Sequence, residues 1–194
     1  MMEPHLTHVD KVMMAKHLKQ STAFLEFGAG GSTYYAATEC PSLRRIVSIE
    51  SDPEWYERVV DNLKPYAAEK NVVVLFRTLH CKPRSWGWPG EGCTDADVRA
   101  YCYPYDLYAL HEFDVVMIDG RFRVACALFS FLALRDDVLV MVDDFWPRAK
   151  EYAVILDYFS IIDTQNDRMV VLRKRTDVAP PDQATIARSL TDPQ

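Results

Sequence analysis

The chain has 194 residues, 49% of them hydrophobic and 26% charged, with a formal net charge of -6. That composition is ordinary for one globular domain with a full core, and the acidic balance argues against broad attraction to nucleic-acid phosphates. No segment approaches the roughly 20 apolar residues of a membrane helix, and no basic stretch followed by an apolar run opens the chain, so a cytoplasmic protein with no membrane and no nucleic-acid partner is expected.

Leu6 to Leu18 places Val9, Val12, Met13 and Lys16 at helical spacing behind Thr7 as a cap, which predicts a helix on the sheet edge or over a ligand crevice. Short apolar runs, mostly rich in β-branched residues, predict strands at about 23–27, 45–49, 72–76, 113–118 and 138–142. Asp52-Pro53 joins a cap to a first-turn proline, and Trp55, Tyr56, Val59, Val60 and Leu63 give the following helix one apolar face to lay on a sheet. Residues 122–134 are apolar on nearly all sides, as for a helix pressed between sheet and neighbours, or covered by a second copy in a homodimer. Pro147 to Tyr158 reads as a helix with Tyr152, Ile155 and Leu156 inward. Phe159 to Asp163 and Met169 to Arg173, joined by a polar turn, read as a hairpin. These elements make one α/β domain over 1–175, and Pro180-Pro181 with scattered polar residues marks 176–194 as a loosely held tail with a short helix near 184–190.

Residues 78–111 break the rhythm. This insert is too long for an ordinary strand-to-helix loop and carries Trp86-Gly87-Trp88, Tyr101, Tyr103, Tyr105 and Tyr108. Long aromatic loops at the carboxyl ends of strands are commonly lids or binding loops, so Trp86, Trp88 and His80 are expected to face a substrate. His80 and His111 flank the insert and are candidate bases near neutral pH. The five cysteines, Cys40, Cys81, Cys93, Cys102 and Cys126, are odd in number and hold no Cys-x-x-Cys pair, so unlinked thiols are expected.

The most informative stretch is Phe24-Leu25-Glu26-Phe27-Gly28-Ala29-Gly30-Gly31-Ser32-Thr33, an apolar strand ending in an acid and entering a glycine loop. A dinucleotide fingerprint needs a third glycine where Thr33 stands, and Glu26 would repel a pyrophosphate, which argues against an NAD-dependent oxidoreductase. A carboxylate there suits a cationic ligand such as S-adenosylmethionine. Glu50, 20 residues after Gly30, stands where a carboxylate accepts ribose hydroxyls.

With these residues, with Ser48-Ile49-Glu50-Ser51-Asp52-Pro53, and with Phe113-Asp114-Val115-Val116-Met117-Ile118-Asp119-Gly120-Arg121 and Val142-Asp143-Asp144-Phe145, the chain resembles the class I S-adenosylmethionine-dependent methyltransferases, in particular a poorly characterised methyltransferase-like subfamily, over about 20–175. The resemblance implies a three-layer Rossmann-like fold with a mostly parallel seven-stranded sheet and a C-terminal antiparallel hairpin. It implies methyl transfer from S-adenosylmethionine to a small-molecule or sugar-type acceptor, with a non-catalytic domain binding that cofactor or its demethylated product as the alternative. Glu26, Gly28, Gly30, Gly31, Ser32, Glu50, Ser51, Thr78 and Asp119 would hold the cofactor.

Asp119 ends the fourth strand and Asp143-Asp144 the fifth, so three candidate catalytic acids reach one edge of the crevice. They are similar to the metal-binding acids of the catechol-type O-methyltransferases, which would imply magnesium, but the asparagine of that pattern is replaced by Asp144. Asp119 acting without metal, as base or anchor, is the favoured expectation. Arg121 and Arg123 either read a polar substrate or neutralise these acids.

Overall fold

The computed structural model of the protein describes residues 2–82, 84–104, 112–165 and 167–194. Tyr105, Tyr108 and His111 lie outside them. Five parallel strands form the body of one sheet: β1 (Ala23–Phe27), β2 (Arg45–Glu50), β3 (Val72–Phe76), β4 (Val115–Ile118) and β5 (Leu139–Val142). The hairpin of β6 (Phe159–Thr164) and β7 (Val170–Lys174) adds an antiparallel end, giving the order β3-β2-β1-β4-β5-β7-β6. This is the seven-stranded α/β arrangement the resemblance implied.

The order reverses between β1 and β4, so the connections after these strands leave toward opposite faces and open a crevice at their carboxyl ends. Strand alternation sorts the core into two layers. Leu25 and Phe27 face α4 (Asp95–Cys102), α5 (Arg123–Ala133), α6 (Ile155–Tyr158) and α7 (Gln183–Ser189). Phe24 faces α1 (His8–Leu18), α2 (Gly31–Glu39) and α3 (Pro53–Leu63). At the far end of the sheet the Asp114 carboxylate takes the backbone N–H groups of Thr22 and Ala23 at 2.6 and 3.0 Å, pinning the starts of β1 and β4 together.

Thr7 caps α1, with its hydroxyl accepting from Asp10 N at 3.2 Å, and Asp52 caps α3 with Pro53 in the first turn. The α1 helix packs along the hairpin, where His17 Nε2 lies 2.9 Å from Asp163 and Asp10 accepts from Met169 N at 3.2 Å. Residues before it cross the glycine loop instead. The α5 helix is buried along its length except at Leu132, within this one chain, by α4, α6 and α7, so a second copy is not needed to cover it.

Three expectations change. The segment from Pro147 to Tyr158 is not one helix: a 3-10 turn spans Trp146–Arg148 and α6 only Ile155–Tyr158, because its N–H groups bond mostly three residues back. Tyr152 and Ile155 are nevertheless inward and fully buried. The stretch 176–194 is docked: α7 buries Ile186 in the core, and residues 193 and 194 bond to the start of α5. The insert is not all loop, since α4 buries Val98, Tyr101 and Cys102 against the sheet layer. Among the described residues no helix is long and apolar enough to cross a membrane. All five cysteines are free.

Candidate active site

The glycine loop leaves β1 with Gly28 at φ +93°, where a Cβ would lie 2.8 Å from Gly120 N. Both the left-handed backbone and the approach of the β4 loop therefore demand glycine. Gly30 differs: a Cβ there would meet nothing nearer than the Trp55 ring at 3.7 Å, so its missing side chain leaves room beside the loop. Gly31 admits the backbone of Glu3 and Pro4, which a Cβ would overlap.

Thr33, standing in the third glycine position, accepts from Gly30 N at 2.9 Å and donates its hydroxyl to Glu26 Oε2, to which Ser48 also donates at 2.9 Å. The departure from the dinucleotide pattern thus builds a cradle for a carboxylate. Glu26 is fully buried, and burial raises its pKa against the opposing hydroxyls of Ser32, Thr33 and Ser48. Among the described residues, its other oxygen, Oε1, has no donor. A buried carboxylate oxygen without a partner beside a glycine cradle fits the ammonium group of an aminoacyl sulfonium.

Across the loop, Glu50 ends β2 and is 6% exposed. Its Oε1 takes the backbone N–H groups of Ser51 and Asp52 at 2.7 and 2.8 Å. Burial, with Asp52 and Glu26 nearby, pushes its pKa up to about 7 despite these bonds. Thr78, the residue expected near an adenine, accepts from His80 N at 3.0 Å and shapes the turn after β3.

The three acids at the ends of β4 and β5 come together, but around a guanidinium. Arg123, 2% exposed, lies 3.2 Å from Asp119 Oδ1, 3.7 Å from Asp143 Oδ2 and 3.4 Å from Asp144 Oδ2, and it donates to the carbonyls of Gly120, Asp143 and Asp119. Arg168 pairs with Asp144 and lies 3.4 Å from Asp143 Oδ2. The carboxylates that the catechol-type pattern would offer to magnesium are engaged in ion pairs, and among the described residues no group of three or more His, Cys, Asp or Glu suits a metal. Of the two readings for Arg123, its contacts are those of an ion-pair network. Two guanidiniums face three carboxylates, and burial, with Asp119 beside it, pushes the Asp143 pKa up to about 8. Asp119 is half-buried; desolvation raises its pKa while Arg123 opposes the rise.

The insert crosses this crevice. A Cβ on Gly87 (φ +70°) would lie 2.9 Å from Ser51 Oγ and 3.7 Å from Arg121 Cγ. Trp88 lies over the Arg121 guanidinium at 5.4 Å, and Trp86, 76% exposed, meets the His5 ring at 5.6 Å. The Trp86 to Trp88 turn and the N-terminal residues thus meet above the ends of β1 and β2. His80 is turned to Asp97 of α4, 3.5 Å away.

Two contributors escaped the sequence reading. Trp55 does not lie on the sheet; its indole donates to Ala29 O at 2.7 Å and props the glycine loop. Tyr56 keeps to the sheet, against Phe76 at the end of β3 with ring centroids 5.3 Å apart. Tyr101 of α4 accepts from Arg121 N at 3.2 Å and packs on Gly120, tying the insert to the end of β4.

The strand order, the glycine loop at its reversal and an acid at the end of β2 define the fold of the class I S-adenosylmethionine-dependent methyltransferases. Compared by sequence, the chain matches no protein-family model and no curated protein. Compared by structure, it is similar to a methyltransferase-like protein from Silicibacter pomeroyi, with a TM-score of 0.79 and 23% identity over 99% of this chain and 98% of that one. An O-methyltransferase from Bacillus cereus, solved with its SAH, matches with a TM-score of 0.58 and 12% identity, covering 87% of this chain and 82% of that one. An RNA methyltransferase from Salinibacter ruber, in complex with S-adenosyl-L-homocysteine, matches with a TM-score of 0.53 and 16% identity, covering 91% and 97%. Acceptors that different on one fold leave the acceptor to be argued from the site itself.

Proposed function

We propose that the protein binds S-adenosylmethionine across the ends of β1 and β2 and directs its methyl group to an oxygen of a small-molecule acceptor, in a cytoplasmic setting that suits five free thiols. The observation that carries this reading is the pair Glu26 and Glu50, buried carboxylates on either side of the glycine loop. Together they repel a pyrophosphate and favour a ligand with a cationic end and a ribose.

Bound there, S-adenosylmethionine would supply an electrophilic methyl group, its sulfur being the leaving group for an acceptor oxygen. Glu50 accepts the ribose hydroxyls and Glu26 Oε1 the amino group. Asp119, a stronger base than a free aspartate, takes the acceptor's proton. Much of the acceleration comes from holding the acceptor in line. Calorimetric titration with S-adenosylmethionine, its demethylated product and NAD tests the cofactor: binding of NAD alone would overturn the reading. Methyl release over a panel of hydroxyl acceptors then tests the activity.

Glu50 makes the affinity depend on pH. Its pKa in the free protein lies near 7 against an ordinary value near 4.5, so the free fold loses stability as pH rises from about 4.5 to about 7, by up to roughly 3 kcal/mol. Ribose hydroxyls need the ionised acceptor, so cofactor affinity should fall as pH drops below 7. Glu50→Gln should flatten both profiles and weaken binding by about 1.5–3 kcal/mol. Unchanged affinity across pH 5–8 in both proteins would place the nucleoside elsewhere.

One observation favours the alternative, a binding domain that does not turn over: the crevice is roofed. His80, Arg84 and Trp86 all hold positive φ in the turn leading to Gly87, a strained run that the roof maintains. If the roof opens for ligand, amide exchange should be fast at 84–88 and slow in α4, and the cofactor product should slow the turn. Equal protection of both segments, indifferent to ligand, would favour the non-catalytic reading.

A further inference from the structure

We propose that residues 2–6 are a latch that ties the Trp86 turn to the glycine loop, so that the cofactor enters and leaves the crevice when the latch lets go. The latch rests on the cofactor reading above, since it needs a ligand to retain; its parts are argued from their own contacts.

The sheet order puts β1 between β2 and β4. The turn from Trp86 to Trp88 reaches both of these neighbours, because Gly87 lies against Ser51 after β2 and against Arg121 after β4. It therefore passes over the end of β1, where the glycine loop begins. The segment 2–6 meets this turn from the α2 side. Glu3 and Pro4 lie so close to Gly31, the first residue of α2, that a Cβ there would overlap their backbone, and the His5 ring meets Trp86 with centroids 5.6 Å apart. One short segment thus touches both the loop that would cradle the cofactor and the roof above it.

The latch is lightly held. Among the described residues no backbone hydrogen bond ties 2–6 to the rest of the chain. Pro4 is buried, and Met2 and Leu6 rest partly buried on the core beneath α1, but Glu3 and His5 are exposed. The Glu3 carboxylate meets Lys11 at 3.6 Å on the surface, a pair contributing about 1 kcal/mol or less. Behind the segment, the Thr7 hydroxyl already caps α1, so residues 2–6 can swing away without unwinding the helix. Segments with few backbone bonds and little buried area are the ones that open at small free energy.

Gly31 shows that the seat is built for this segment. It begins an α-helix and lies outside the left-handed region, so the helix itself would accept alanine and favour it. The backbone of Glu3 and Pro4, and not the conformation of Gly31, is what excludes a side chain there. Gly28 is the contrast, with its φ of +93°.

The test follows S-adenosylhomocysteine into and out of three proteins by stopped-flow tryptophan fluorescence: the parent, Gly31→Ala, and a chain lacking residues 1–5. Alanine pushes the latch off its seat; the deletion removes the latch and keeps Leu6 and the Thr7 cap. Each change should speed both association and release by about tenfold or more, with the dissociation constant moving much less than either rate. A segment that merely touched the ligand would alter release alone, and an alanine that clashed with the ligand would slow entry. Without ligand, the amides of Glu3, His5 and Leu6 should exchange faster than those of α1 in the parent; the product should slow them in the parent and not in Gly31→Ala. Rates indifferent to both changes, faster release with unchanged association, or latch amides as protected as α1 with and without product would overturn the latch. Product that binds the parent with such indifferent rates removes the latch alone; product that binds none of the three proteins removes the cofactor reading and the latch with it.

Discussion

Arg123→Met should destabilise the fold by about 3–5 kcal/mol at pH 7, the largest stability loss expected from any single substitution near the site. The guanidinium is 2% exposed and joins the ends of β4 and β5, reaching Asp119, Asp143 and Asp144 as well as three backbone carbonyls. Methionine fills the space but leaves the carboxylates with Arg168 as their one remaining cation in this network, and it strips those carbonyls of a donor. The loss should shrink at pH 5, nearer the range in which the abandoned carboxylates, with Asp143 raised to about 8, take up protons. Arg123→Lys should lie between, keeping the charge without the fork. Urea unfolding at the two pH values measures all of this. A loss below about 1 kcal/mol for Arg123→Met would mean that the network forms without its centre.

Much of this architecture is written locally and was legible for that reason. The central strands are largely apolar runs between turn residues, and Gly28 and Asp52-Pro53 mark backbone requirements that few other residues meet. The α4 helix was legible too, though passed over: Thr94 and Asp97 form a capping box ahead of Val98, Tyr101 and Cys102 at helical spacing, hidden by the tryptophans, prolines and glycines before it. What the sequence could not reveal were choices among partners. Asp119, Asp143 and Asp144 are acids at strand ends whether a metal or an arginine sits among them, and only the packing of α5 brings Arg123 to the centre. Trp55 has helical periodicity with Val59 and Leu63, which says nothing of its indole reaching Ala29. Gly30 and Gly31 look alike in the sequence, yet one leaves room beside the loop and the other admits the chain's own N-terminal residues.

Asp119→Asn should cut methyl transfer by about 100-fold or more while leaving cofactor affinity nearly unchanged. The residue ends the strand beside β1, and one of its oxygens is held by Arg123. Desolvation keeps its pKa above that of a free aspartate, which favours taking a proton from an acceptor hydroxyl. Asparagine preserves size and much of the hydrogen bonding but cannot accept that proton. The change also removes one negative charge beside Asp143, so Asp143 should ionise at lower pH and the arginines keep balanced partners, which separates a catalytic defect from a structural one. A melting temperature close to that of the parent, together with the loss in turnover, is the expected pair of results. If the substitution instead slows turnover only through weakened acceptor binding, with kcat retained, Asp119 positions the acceptor. Undiminished kcat/KM on a genuine acceptor would move the proton transfer away from β4, to a group the acceptor itself brings or to the insert that roofs the crevice.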